Sequence, residues 1–405
     1  MKRRKLEPSL GLETALSKQI YDALQGEVVE EVLKQARTTT DDAYWRSAME
    51  GHSFKVEQKL LGHLYELFEE VKEKLGFTDR VDFYVTGDST VNAFSLAAEG
   101  EGEPHIVNVN SALIELMTDD ELRFVLGHEL GHLLNHDTSL LRLINFIFPE
   151  ESAIPIGLQY KIRLWQQLAE LVADRYGYIA TEDLGVCVSA FFKMASGLDL
   201  GKMNIQLDAL LEDNRQHLDY FLNDRGTSTA THPVNPIRVE SLNLFANAKT
   251  KKALNDGMDE LISILLKVGD SELDEPMAVF IATAGLIAAS ADGDVTEDEA
   301  QAIIESLASV QMFPKAFLDS ISRENVPELF SNAVATILSI DPSLREAMFH
   351  YMISIVLADK QLSKKEIDFL YNMSEQLFNY SRKEAAGLLA AMIQINFVPS
   401  FESFC

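Results

Sequence analysis

Cysteine is scarce in this chain: two residues, Cys187 and Cys405, in 405. Two thiols cannot staple a small secreted fold, so a disulfide framework is excluded and a reducing, cytoplasmic setting is expected. Positive charge is also short. Lys and Arg number 35 against 63 Asp and Glu, a formal net charge of −28. A surface that acidic repels phosphate backbones and anionic lipid headgroups, which argues against nucleic acid as a partner. Glycine (21) and proline (11) are too few for a collagen-like or linker-dominated chain. No long apolar run is present. The longest uncharged stretch, Pro276 to Ala291, is too short for a bilayer and contains Thr and Ser, so it reads as a buried helix and membrane insertion is not expected. The basic start, MKRRK, has no apolar stretch behind it and is not read as a signal peptide. Cys405 is the last residue, not the fourth from the end, so it is no prenylation box.

What is there is a globular composition, 47% hydrophobic and 24% charged, long enough for two or three domains. Residues 1 to about 40 read as helical, and Thr38 to Asp42 as a break. A 3.6-period apolar face (Val56, Leu60, Leu61, Leu64, Leu67, Phe68, Val71) predicts a helix over roughly 54–75. VDFYVTG, the stretch from Val91 to Leu96, and PHIVNVNS predict three short strands. Thr118-Asp-Asp-Glu121 is a capping box that opens a helix reaching about His136. A second long helix is predicted from about Tyr160 to Thr181, with a loop between the two. SELDEP, 271–276, is the expected domain boundary, and everything beyond it reads helical. The fold class is therefore α+β: a mostly helical domain with a small sheet, followed by an all-helical domain. The expected division is a helical arm over 1–50, a first domain over 51–269 and a second over 270–405.

Gly127-His-Glu-Leu-Gly-His132 places an H-E-x-x-H motif on the capped helix. Residues four apart share a helix face, so His128 and His132 can grip one metal ion, with Glu129 on the flank free to act as a base. The long metzincin form would need Gly at 135 and His at 138, where this chain has Asn135 and Thr138. A third ligand must come from elsewhere. Glu170-Leu-Val-Ala-Asp174, on the second long helix, offers Glu170 to complete a His-His-Glu set and Asp174 to orient a ligand imidazole. The bland alternatives are a helix with two surface histidines and an ordinary acidic helix face. His136, one turn past His132, reads as a helix C-terminal charge partner.

FVLGHELGHLLNHDT, LAELVADRYG and THPVNPIR, in this order, resemble the HtpX-type zinc metallopeptidases. That family also contains the CAAX prenyl peptidases and Oma-type mitochondrial peptidases. The resemblance covers about 55–250 and implies a gluzincin-type endopeptidase. It implies one zinc per chain on His128, His132 and Glu170, with Glu129 as catalytic base and Asp174 behind the ligands. It also matches His232, Pro233 and Arg238, which makes His232 and Arg238 the candidates for stabilising the oxyanion. Asn92-Ala93-Phe94 matches the family's strand beside the cleft, where an extended peptide or protein substrate would add to the sheet edge. Phe94 is expected in the core. Many family members carry membrane-spanning segments, and this chain shows none. A non-cleaving, metal-binding scaffold on the same fold is the competing reading.

The last third contains an echo at an offset of 67: ADGDVTEDE from Ala291 and ADKQLSKKE from Ala358, each ending in a Ser/Thr cap and a Glu. The pair resembles the tellurite-resistance protein B-like helical domain over roughly 275–395, although the second copy has Lys360 in place of the glycine. A full calcium loop is excluded because its first and third positions fall on Ala288 and Ser290. Weak calcium binding by Asp292, Asp294 and Glu299 is the alternative to a capped turn with solvated acids. Residues 270–405 carry 8 basic and 21 acidic residues. That density suits docking of a protein partner, with the module regulating or addressing the first domain.

Overall fold

The structure is a computed structural model that describes residues 7–36, 41–98, 102–150, 154–198, 206–224, 233–266, 272–289, 313–357 and 363–396. Two compact units emerge. Unit 1 comprises Met1–Ala153, Ile162–Gly226 and Ala230–Leu261; unit 2 comprises Ile154–Lys161, Thr227–Thr229 and Ile262–Cys405.

Unit 1 opens with helices α1 (Gly11–Ala23), α2 (Gly26–Ala36) and α3 (Asp41–His52). The turn between α1 and α2 places Gln25 in the left-handed region, φ 51°. Of the break predicted at Thr38–Asp42, Asp41 and Asp42 belong to α3, and Thr38–Thr40 lie outside the described residues. Strand β1 (Phe54–Lys55) and α4 (Gly62–Leu75) follow, so the helix expected over 54–75 starts eight residues late. The apolar period from Leu64 onward is helical, whereas Val56 enters the core through a hydrogen bond from its N–H to the Phe83 carbonyl. Strands β2 (Val81–Thr86), β3 (Ala93–Leu96) and β4 (His105–Asn110) lie where alternation predicts them.

The sheet has the order β1-β2-β4-β3. β2 and β4 run parallel from Val81↔His105 to Thr86↔Asn110, and β3 pairs antiparallel with β4 from Ala93↔Val109. Alternation separates two faces. Phe83, Val107 and Val109 share a core with Phe68 and Val71 of α4 and with Leu122, Val125 and Leu126. Tyr84 and Ile106 pack with Met49 of α3, and Phe94 is partly buried against that second cluster.

After α5 (Ser111–Leu116), the Thr118–Glu121 capping box opens α6 (Asp119–Leu134). From Leu122 to Leu133 this helix is buried on most sides, with its polar His128, Glu129 and His132 set among apolar neighbours. The stretch expected as a loop is instead α7 (Asp137–Ile147). His136, at φ 60°, turns the chain in one residue, and Leu140, Leu143 and Ile144 give α7 a buried stripe. α8 (Ile156–Thr181), α9 (Leu184–Ser196), α10 (Leu207–Asp224), α11 (Asn235–Asn247) and α12 (Lys251–Leu265) complete this part of the chain.

Unit 2 is helical throughout its described residues: α13 (Asp274–Ala289), α14 (Lys315–Ser322), α15 (Val326–Ile340), α16 (Arg345–Val356), α17 (Lys364–Gln376) and α18 (Arg382–Asn396), with a short 3-10 turn at Pro342–Leu344. Small residues Ala278, Ala282 and Ala284 line α13, and Phe280 stacks on Phe330 at 5.5 Å. In the second repeat, Ser363 caps α17 with Glu366, as the pattern predicts. The first repeat, with Asp292, Asp294 and Glu299, lies outside the described residues.

Candidate metal centre

Two glycines bring the site together. A methyl at Gly131 would stand 2.9 Å from Tyr176 Cβ and 3.1 Å from Ala173 Cα, and one at Gly127 would stand 2.7 Å from Ala180 Cβ. α6 and α8 therefore approach more closely than side chains on both would permit. The two glycines are four apart on the same helix as the histidines, so the close contact of α6 with α8 brings Glu170 to the imidazoles.

His128 Nε2 and His132 Nε2 stand 3.2 Å apart, with the rings perpendicular. Glu170 Oε2 lies 3.6 Å from His128 Nε2, and Oε1 lies 3.5 Å from His132 Nε2. In a tetrahedral shell with bonds of about 2.0–2.1 Å, neighbouring ligand atoms are about 3.3 Å apart. The three side chains fit that spacing. Their other atoms explain the orientation. His128 Nδ1 donates to Asp174 Oδ1 and His132 Nδ1 donates to Asp137 Oδ2, each at 2.9 Å. With Nδ1 protonated on both rings, both Nε2 atoms present lone pairs, and Glu170 adds a carboxylate. Three acceptors converging on one point repel one another unless a cation sits among them. Burial pushes the His132 imidazole toward neutrality, but hydrogen bonding to Asp137 and Glu170 outweighs it and holds its pKa well above the ordinary value, so the same two carboxylates favour positive charge at Nε2, and a metal ion there competes with a proton.

Asp174 is fully buried. Burial opposes its ionisation, but the Arg238 guanidinium overcomes this and keeps its carboxyl below the usual range. Arg238 donates from Nε to Asp174 Oδ2 at 2.8 Å and from Nη2 to Asp174 Oδ1 at 2.6 Å. The same Nη2 lies 3.3 Å from Glu170 Oε2, and the guanidinium rests 4.7 Å over the Phe191 ring. Burial would depress Arg238, yet Asp174, Glu170 and Glu129 together raise it. The guanidinium is thus spent behind the ligands. Glu129 is nearly buried on α6, one residue from His128. Asn92 is exposed beside the edge strand and its carbonyl accepts from the Asn110 N–H, while Ala93 and Phe94 begin β3, against which α6 packs. His232 lies outside the described residues.

Asp137 is the residue that sequence reasoning missed. It follows His132 by five positions, which is no helical spacing. His136, expected as a charge partner of the helix end, is the left-handed link that folds Asp137 back onto His132.

Residues 59–245 match the family model described as peptidase family M48. The plastoglobule-localized metallopeptidase 48 of Arabidopsis thaliana is 30% identical over 218 residues, covering 50% of this chain and 62% of that protein. Protease HtpX homologues of Helicobacter acinonychis and Thermoplasma volcanium are 35% identical over 92 residues and 30% over 93, covering 28% and 29% of those proteins. The chain thus spans under two thirds of the first of these relatives and under one third of the HtpX homologues. No solved structure matches at comparable significance. Among the described residues no helix is long and apolar enough to cross a membrane. The helix pair and the convergent His-His-Glu set lie inside the one stretch, residues 59–245, that is similar to peptidase family M48.

Proposed function

We propose that this domain is a zinc metalloendopeptidase whose ligands are His128, His132 and Glu170 and whose general base is Glu129. The observation that carries the reading is the meeting of two oriented Nε2 atoms and a carboxylate within 4.8 Å of one another. When bound there, zinc would polarise the scissile carbonyl and acidify water. Glu129 would receive the proton at a carboxylate oxygen and pass it to the leaving amine. Asp174 and Asp137 hold the imidazole tautomers, and Arg238 keeps Asp174 ionised; this favours a positioning role for Arg238 and leaves His232 as the candidate for the oxyanion. The edge strand β3 suits an extended peptide, bound through backbone hydrogen bonds with little side-chain choice. Two cysteines, with Cys187 a buried free thiol, fit a reducing cytoplasmic setting. Residues from about 270 onward, dense in acids, serve in this reading as a regulatory or docking module.

Zinc analysis combined with a peptide-library cleavage assay tests the reading. Glu129→Gln should retain zinc and fold while losing about 10²- to 10⁴-fold in cleavage rate. Zinc retained by a His128→Ala, His132→Ala double variant would reject the ligand assignment. A zinc-loaded wild type that cuts no peptide would favour the scaffold reading.

A further inference from the structure

The N-terminal helix α1 lies outside the M48 match, yet it places an acid deep in unit 1. Glu13 is 1% exposed and shares its helix with the buried Leu16 and Ile20. An apolar residue would pack such a position without desolvating a carboxylate, so the acid has another use. Glu13 Oε1 accepts from Asn135 Nδ2 at 3.1 Å and from the Trp165 indole N–H at 3.2 Å. Asn135 Nδ2 also donates to Asp137 Oδ1 at 2.8 Å. The other oxygen of Asp137 holds His132 Nδ1 at 2.9 Å. An amide has two N–H bonds, and here both are committed to carboxylates. One end of the relay is therefore anchored in α1, and the other fixes an imidazole of the metal centre.

A second contact fastens the same segment. Arg175, next to Asp174 on α8 and fully buried, donates from Nη1 to the Pro8 carbonyl at 3.0 Å. The stretch from Pro8 to Glu13 is thus tied to the helix that carries Glu170 and Asp174, at Arg175 and at Trp165.

We infer that Glu13 is a positioning residue of the metal centre, acting through Asn135 and Asp137 on His132, so that the N-terminal helix is a working part of the site. The inference rests on the metal-site reading above. Partners one bond removed from a ligand, here Asp137, typically change metal affinity 10- to 100-fold; Glu13 acts two steps further out, behind Asn135, so the lower end, about tenfold, is expected.

The test is zinc affinity of the full chain, measured by competition with a chelator. Glu13→Ala should weaken binding about tenfold. Glu13→Gln keeps an acceptor oxygen for Asn135 and Trp165 and should restore affinity to within about twofold. Leu16→Ala, which damages the same helix elsewhere, should lower stability without moving the zinc affinity of the folded protein. Glu13→Ala combined with Asn135→Ala should bind no more weakly than the weaker single variant, because both break one relay. Unchanged affinity in Glu13→Ala, equal loss in Glu13→Gln, or equal loss in Leu16→Ala would overturn the inference. Should Glu13→Ala fail to fold, Asn135→Ala breaks the relay at its middle, with a similar loss expected and wild-type affinity overturning it. A wild type that binds no zinc would instead reject the metal-site reading.

Discussion

Thr118-x-x-Glu121 in unit 1 and Ser363-x-x-Glu366 in unit 2 are the same local device in different surroundings. Both close a capping box at a helix start. Ser363 and Glu366 do so at the surface. Glu121 is 4% exposed and takes a second partner, the buried Lys193 of α9, at 2.8 Å. The contrast extends through both units. Unit 1 buries Glu129, Asp137, Glu170, Asp174, Arg175 and Arg238, whereas the buried polar residues described in unit 2 are Thr283 and Ser374. Burying charge is costly unless it is paired and hydrogen-bonded. Unit 1 bears that cost around its candidate metal centre. Among its described residues, unit 2 keeps its acids off its core of Phe280, Phe330, Phe349 and Met352. Charge among the described residues therefore enters the interior of one unit and stays at the surface of the other.

The strongest way to break this contrast is to leave a buried charge alone. Arg238→Ala strips Asp174 of both its guanidinium contacts while His128 stays beside it. Loss of one partner of a buried pair costs about 3–5 kcal/mol. Chemical denaturation should show a loss of that size, accompanied by weaker zinc binding. Arg238→Ala at wild-type stability would mean that Asp174 is solvated or protonated in the folded protein.

Glu13 offers a pH-resolved version of the same contrast. Burial, with the nearby Asp137 carboxylate, pushes its pKa up to about 7 from an ordinary 4.5. A group with a raised folded pKa binds its proton more tightly in the folded state. Its contribution is complete below pH 4.5 and is lost as pH rises toward 7. Glu13→Gln removes that dependence. The variant should therefore gain stability relative to wild type as pH rises through this window, by up to about 3 kcal/mol. Urea unfolding at several pH values reads the difference, and a pH-independent gap would show that Glu13 does not change charge there.

Gly131→Ala tests the helix contact. The added methyl meets Ala173 Cα at 3.1 Å, which backbone must accommodate. Overpacking of this kind costs about 1–3 kcal/mol and should separate Glu170 from the histidines, weakening zinc binding as well. An unaltered zinc affinity would mean that α6 and α8 can move apart without disturbing the ligand set.

The elements legible in the sequence are those with local causes. The capping box, the 3.6-period faces and the alternating strands depend on residues a few positions apart, and so does the pairing of His128 with His132. Glu170 was legible as the proposed third ligand because a His-His pair calls for a carboxylate and α8 offers Glu170 with Asp174 one turn on. What escaped depends on contacts between distant segments or on one unusual backbone angle. Asp137 reaches His132 only because His136 turns left-handed, and α7 stayed hidden for the same reason: no Ser, Thr, Asp or Asn precedes its first residue. Glu13 lies 122 positions from Asn135, and no periodicity connects them. Gly127 and Gly131 were visible as letters of the motif, but their use as a helix contact appears only when α8 is beside them.

The smallest effect sharpens the opening contrast. Thr118→Ala and Ser363→Ala each remove a capping hydroxyl, for a cost of about 1 kcal/mol. In unit 2 the loss should be that alone, because Ser363 and Glu366 hold each other at the surface. In unit 1 the Thr118 hydroxyl donates to Glu121 Oε2 at 3.0 Å, but this oxygen also accepts from the Thr118 N–H at 2.7 Å and from Lys193 at 2.8 Å. Ser189 donates to the other oxygen. These partners survive the substitution, so Glu121 remains satisfied and Thr118→Ala should cost no more than Ser363→Ala. Denaturation of the two variants decides the matter. A loss of several kcal/mol confined to Thr118→Ala would mean that the buried Glu121–Lys193 pair depends on its cap and that the charges of unit 1 do not hold one another.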